Sequence, residues 1–202
     1  MKLISLPAPQ LKGEVSVEAA IAGRRSRRAY GARPLTREQV GQILWCAQGI
    51  TGPGARKRAA PSAGATYPMV LYVAVGEGGV EDLDAGVYRY EPAGHGLTMQ
   101  FAGDVRDRIA GAALGQRFLS AAPISLLIAA DYERTTGRYG KRGVRYVHIE
   151  AGHVGENIYL QVESLGLATV TVGAFRDKEL GQVFRLPDEL EPLCLMPIGH
   201  RQ

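Results

Sequence analysis

Cysteine is scarce in this chain: Cys46 and Cys194 are the only two, far apart and each in an apolar setting. That excludes a CxxC metal or redox motif and favours buried free thiols in a reducing compartment over a disulfide. Long apolar runs are missing as well. No stretch approaches the roughly 20 residues that span a bilayer. The opening, Met1 to Pro7, is too short and too soon broken by proline for a secretory signal, so the expectation is a cytoplasmic protein with no membrane partner. Glycine-rich nucleotide signatures are absent too: no GxGxxG joins a strand to a helix, and there is no P-loop. Any nucleotide-like phosphate must therefore be held by side chains. There is no GxSxG elbow and no serine or cysteine beside a base, which argues against nucleophilic catalysis. His148 and His153 fall about 140° apart on a helix of 3.6 residues per turn, so they cannot share an ion and no metal is expected.

What remains is an ordinary globular composition with an uneven charge. The 202 residues, 46% hydrophobic and 22% charged, suffice for one substantial core. The expected organisation is an N-terminal extension over 1–15 and one domain over 16–202. Residues 24 to 58 carry nine basic side chains against one acid, Glu38, while the rest of the chain has 15 basic and 19 acidic residues. A slightly acidic body thus bears one concentrated positive region. That suits a localised anion site, with a small nucleic-acid footprint as the competing reading.

Periodicity and punctuation predict the elements. Ser16 caps a short helix ended by Gly23, and Thr36 to Gln39 fit a capping box opening a helix closed by Gly49. Residues 51–68 read as a long loop of binding type. A strand is predicted over Val70–Val75, a hairpin over 87–100, a helix over Asp104–Leu114 and a strand over Ile124–Ala130. The longest helix is predicted over Tyr146–Leu165, and its bare Ala151, Gly152 and Gly155 face allows close approach by another helix. A strand at 169–172, a helix capped by Asp177 and a closing strand at 193–198 follow. His95 is placed in a turn, solvated. The hairpin interrupts the helix–strand alternation, so the fold class is α+β, with a mixed or antiparallel sheet flanked by helices.

The densest signal is Arg24, Arg25, Ser26, Arg27 and Arg28, followed by Tyr30. Each guanidinium offers a fixed fork matched to phosphate oxygens, and serine adds a compact donor. A solvated basic face is the bland alternative. An anion clamp, a Pro-Ser-Ala-Gly contact loop and no nucleophile together point to a cofactor that brings its own chemistry.

These residues resemble the motifs of the nitroreductase superfamily. Arg24-Arg25-Ser26-x-Arg28-x-Tyr30 is similar to its opening motif. Ala60 to Pro68 resembles its second motif, in the form of the SagB-type dehydrogenase branch. Further matches are Ala112 to Gln116, Arg142 to His148, Glu150 to His153, Val172 to Phe175 and Pro197 to Gly199, in order and with family-like spacing. The resemblance implies an FMN-binding homodimer with flavins at the subunit interface, using NAD(P)H to reduce a small organic molecule, with no nucleic-acid role. By that likeness Arg24, Arg25, Ser26 and Arg28 hold the flavin phosphate, ribityl chain and ring edge. Pro61, Ser62, Ala63 and Ala65 reach the same flavin from the partner subunit. Gln116 contacts the pyrimidine side, Val172, Gly173 and Ala174 run past the N5 face, and Arg201 is a phosphate ligand. Positive charge near the N1–C2 edge favours reduced flavin.

One departure concerns chemistry. Members of the branch that oxidise azolines carry a Lys-Tyr pair where this chain has Arg138-Tyr139. Arginine stays protonated near neutrality and is a poor base. Tyr139 is the catalytic candidate, as proton donor or pocket lining.

Overall fold

The computed structural model describes residues 2–52 and 57–202. Four residues of the long 51–68 loop, 53 to 56, and with them Arg56, lie outside the described residues. Near the start of that loop the Thr51 N–H donates to Lys57 O at 2.9 Å and the Ala59 N–H to Gly49 O at 2.9 Å.

Eight strands form one sheet: β1 (Leu3–Ser5), β2 (Tyr30–Gly31), β3 (Met69–Val75), β4 (Gly86–Glu91), β5 (Gly96–Ala102), β6 (Ile124–Ala130), β7 (Leu167–Thr169) and β8 (Glu191–Arg201). Their order is β1-β5-β4-β3-β6-β8-β2, with β7 also on β8, and every pairing is antiparallel. β3 and β6 are buried at every position, and apolar but for Ser125 and the Tyr72 hydroxyl, because both faces of the sheet are covered. Met69, Leu71, Val73 and Val75 enter one core, whereas Val70, Tyr72 and Ala74 enter the other, as a two-residue period requires. The first core lies under α2 (Arg37–Gln48) and α6 (Arg142–Ser164), and the second under α3 (Arg106–Ala112) and α7 (Asp177–Phe184). Short helices α1 (Val17–Gly23), α4 (Phe118–Ala121) and α5 (Glu133–Tyr139) complete the chain.

The caps at Ser16 and Thr36 form as predicted, the latter as a reciprocal capping box with Gln39. Three expectations are corrected. The predicted strand at 169–172 lies earlier, at Leu167–Thr169, because the Thr171 N–H is captured by the Tyr159 hydroxyl at 2.8 Å instead of joining the sheet. Asp177 is the first helical residue of α7 rather than its cap; it sits where a carboxylate favours the helix dipole. His95 is partly buried, bonded to Tyr90 Oη at 2.9 Å and Pro7 O at 2.9 Å.

α6 organises the site. Over its 23 residues it advances about 34 Å. Val147, Glu150, Val154, Ile158 and Val162 face the core. On the adjoining face, Ala151, Gly152, Gly155 and Tyr159 line a cavity of about 500 Å³ together with Thr171 and Cys194.

Candidate functional site

The predicted site residues fall into two groups along α6. The first surrounds Tyr159. Its hydroxyl lies 3.0 Å from Ser26 Oγ and accepts the Thr171 N–H at 2.8 Å, while the Arg24 guanidinium stacks 5.2 Å from its ring centroid. Tyr159 therefore joins the arginine cluster to the segment that runs into Val172, Gly173 and Ala174. That segment ends at Gln116, whose Nε2 donates to Ala174 O at 2.9 Å and Ala113 O at 2.8 Å. Arg28 stands over Phe118 at 5.8 Å, on the same side. Gly152, Gly155 and Gly173 have open space in front: a Cβ at any of them meets nothing within 4 Å.

The arginines divide by charge balance. Arg201 pairs with Glu163 at 2.8 Å and donates to the Leu167 and Glu163 carbonyls. Arg27 lies 3.8 Å from the same carboxylate, and its backbone N–H donates to Thr169 O at 2.8 Å. Arg24, Arg25 and Arg28 have no carboxylate within ion-pairing distance among the described residues. Arg25 donates to the backbone at Ala22 and Arg24. The three guanidiniums thus keep donors with no carboxylate partner, Arg24 over Tyr159, Arg28 over Phe118 and Arg25 on the backbone. Tyr30 donates to Arg27 O at 3.1 Å, and burial pushes its phenol well above the usual range.

The second group is the Pro61–Tyr67 loop with its supports. Ser62 Oγ accepts the Tyr67 N–H at 2.9 Å. Gly64, Ala65 and Tyr67 all have left-handed φ, +59°, +54° and +48°, and the latter two are strained there because they carry a Cβ. The Arg138 guanidinium donates to Gly64 O at 3.0 Å, and a Cβ on Gly64 would collide with the Tyr139 hydroxyl. Tyr139 stacks edge-on against Tyr146 at 5.1 Å. Behind the loop, Glu150 is buried with Gln48, and Arg58 donates to Gln48 at 2.9 Å. Desolvation raises the Glu150 carboxyl against the opposing pull of Ser62, Gln48 and Arg58.

Glu150 and Tyr159 are nine positions apart, about 14 Å along α6 and on opposite sides of it. Within one chain the two groups thus do not converge. Ser62, Ala63, Ala65 and Pro61 stand in one place; Arg24, Arg25, Ser26, Arg28, Gln116, Val172, Gly173 and Ala174 stand in the other.

Sequence reasoning missed Tyr159, Arg58 and Glu150. Tyr159 was discoverable as the residue four beyond Gly155 on the bare stripe. Glu150 was discoverable as a charge in the core-facing series of Val147 and Val154. Among the described residues, no group of three or more His, Cys, Asp or Glu is arranged to hold a metal, and no helix is long and apolar enough to cross a membrane.

Comparison with known proteins agrees with this architecture. A nitroreductase-family protein of Methanocaldococcus jannaschii is 46% identical over 188 residues, which is 93% of this chain and 92% of that one. The crystal structure of a nitroreductase-family protein from Ralstonia eutropha superposes with a TM-score of 0.86 at 29% identity, over 100% of this chain and 90% of that one. The NADPH:FMN oxidoreductase of Vibrio harveyi, solved with NAD+, shares the fold at a TM-score of 0.66 and 20% identity, over 92% of this chain and 69% of that one. The family profile itself matches residues 21–200, and with it this chain belongs to the nitroreductase family of oxidoreductases.

Proposed function

We infer that this chain is an FMN-dependent oxidoreductase that passes reducing equivalents from NAD(P)H to a small organic molecule, working as a homodimer. The observation that carries the reading is that three guanidiniums of one short segment, Arg24, Arg25 and Arg28, have no carboxylate partner, while Ser26 between them meets the Tyr159 hydroxyl on which Arg24 stacks. Their donors fit a terminal phosphate, which FMN has and riboflavin lacks. Open space before Gly173, Gly152 and Gly155 fits a flat ring lying close to bare backbone.

In this reading Arg24, Arg25, Ser26 and Arg28 hold the phosphate and ribityl chain. Gln116 orients the pyrimidine edge, and Val172 to Ala174 flank the ring. Arg201, already balanced by Glu163, is the weakest of the assigned phosphate ligands and acts mainly to hold the Leu167–Glu163 junction. The loop of Pro61, Ser62, Ala63 and Ala65 supplies the partner subunit's site. What supports this is that Glu150, behind the loop, and Tyr159, beside Ser26 and Arg24, lie about 14 Å apart along α6 and on opposite sides of it. Bound flavin supplies hydride transfer, so the protein needs no nucleophile. Tyr139, whose hydroxyl sits against Gly64, is the proposed proton donor.

A SagB-type reaction on azoline rings is disfavoured by Arg138, which is a permanent cation engaged with Gly64 O and cannot take a proton. The test is the visible spectrum of the purified protein. Flavin absorption bands support the reading; colourless protein that also fails to take up added FMN overturns it.

A further inference from the structure

The junction of α5 and α6 carries a cluster of cations to which the flavin reading gives no ligand. Arg138 lies in the last turn of α5, Lys141 precedes α6, and Arg142 and Arg145 stand at the start of α6. All four are exposed, and among the described residues none has a carboxylate within ion-pairing distance. Arg142 and Arg145, three apart on one helix, are neighbours of like charge. Lys141, Arg142 and Arg145 line an open cavity of about 500 Å³ with Val144 and His148. His148 is also a wall of the cavity in front of Gly152 and Gly155, so the two cavities adjoin at its ring. That ring is held in place: Tyr132 Oη lies 2.6 Å from Nε2, and the two rings meet edge-on at 5.7 Å. Arg138, donating to Gly64 O at 3.0 Å, ties the cluster to the Pro61–Tyr67 loop.

We propose that Lys141, Arg142 and Arg145 form a second anion site that takes the 2′-phosphate of a nicotinamide nucleotide, which makes NADPH rather than NADH the preferred reductant. The nicotinamide rests on the oxidoreductase reading above; the anion site stands on the cluster itself. A phosphate monoester brings nearly two negative charges and three acceptor oxygens to one place. Two guanidinium forks match those oxygens, and the lysine ammonium adds a point charge. NADH carries a neutral hydroxyl at the same position and leaves the three cations unmatched. Val144, 40% exposed, supplies apolar surface for the adjoining base, and guanidinium planes stack on such rings. From Arg145 to Gly152 the helix rises about 10 Å. A nucleotide anchored at its adenosine end therefore extends past His148 towards the bare face where the flavin reading places the ring. From Arg145 to Tyr159, beside Ser26 and Arg24, the rise is about 21 Å. Within one chain the two basic groups are thus separate, and each holds its own phosphate.

Calorimetric titration of the flavin-loaded protein with 2′,5′-ADP and with 5′-AMP tests the site without turnover. The parent chain is expected to bind 2′,5′-ADP about tenfold or more tightly than 5′-AMP, the worth of one charge-assisted hydrogen bond. Arg142→Ala/Arg145→Ala is expected to lose that preference. Both side chains are exposed, so the variant should melt with the parent. Lys141→Ala, outside the helix, should weaken the preference in part. Equal affinity for the two nucleotides in the parent, or a preference that survives the double variant, overturns the proposal. Displacement of 2′,5′-ADP by inorganic phosphate at equal concentration also overturns it, because the nucleoside then takes no part in binding. In turnover, the ratio of kcat/KM for NADPH over NADH should fall about tenfold or more in the double variant, and an unchanged ratio contradicts the assignment. Protein that takes up no flavin overturns the cofactor reading, while the same titration of that protein still decides the anion site.

Discussion

Replacing Tyr159 by Phe removes one oxygen and keeps the ring, so it separates the two ways this residue holds the clamp. The hydroxyl makes two contacts, to Ser26 at 3.0 Å and from the Thr171 N–H at 2.8 Å. Each is worth about 1 kcal/mol net where water cannot substitute. Ser26 and Thr171 are both exposed, so water recovers part of this. We expect Tyr159→Phe to lower stability by about 1 kcal/mol, roughly 2–4 °C in Tm for a chain of this length. Tyr159→Leu also removes the surface on which Arg24 stacks at 5.2 Å, adding about 0.5–1 kcal/mol. The sharper assay is a double-mutant cycle on FMN affinity with Ser26→Ala. If Tyr159 acts by holding Ser26, the two losses overlap and the double variant is little worse than either single one. Strictly additive losses would refute the shared role.

Other outcomes follow from neighbouring positions. Gly64→Ala places a Cβ at φ +59° against Tyr139 and Arg138, so thermal denaturation should show a loss of about 1 kcal/mol or more. Gly173→Ala meets no protein atom within 4 Å, so stability should hold while FMN affinity falls; unchanged affinity would remove the backbone at 173 from the ring's surroundings. The Glu150 carboxyl is raised in the folded state from its reference of 4.5. Its contribution is fully present below the unfolded value and is lost as pH rises through the folded one. Chemical denaturation should therefore show Glu150→Gln gaining on the parent protein as pH rises from about 4.5, and a constant difference would contradict the assigned shift.

Capping chemistry and apolar runs made much of the fold legible. Ser16 and Thr36 open helices, and Gly49 closes one, where predicted. β1 escaped notice because three residues before a proline carry no period, and α5 because Thr135, Thr136 and Gly137 are weak helix formers. The strand at β7 was misplaced because Thr171 has strand propensity but spends its N–H on Tyr159. That contact joins residues twelve positions apart through tertiary structure, which no local pattern encodes. The same reason hid the division of the arginines. Five basic residues look alike in sequence, and only Glu163 distinguishes Arg27 and Arg201 from Arg24, Arg25 and Arg28.

The clamp is tested most directly by titrating cofactor-free protein with FMN and with riboflavin, in the parent chain and in the Ser26→Ala/Arg28→Ala variant. If those side chains grip a phosphate, the parent prefers FMN strongly and the variant loses most of that preference while binding riboflavin as before. Equal affinity for the two flavins in the parent chain, or an unchanged preference in the variant, would contradict the account.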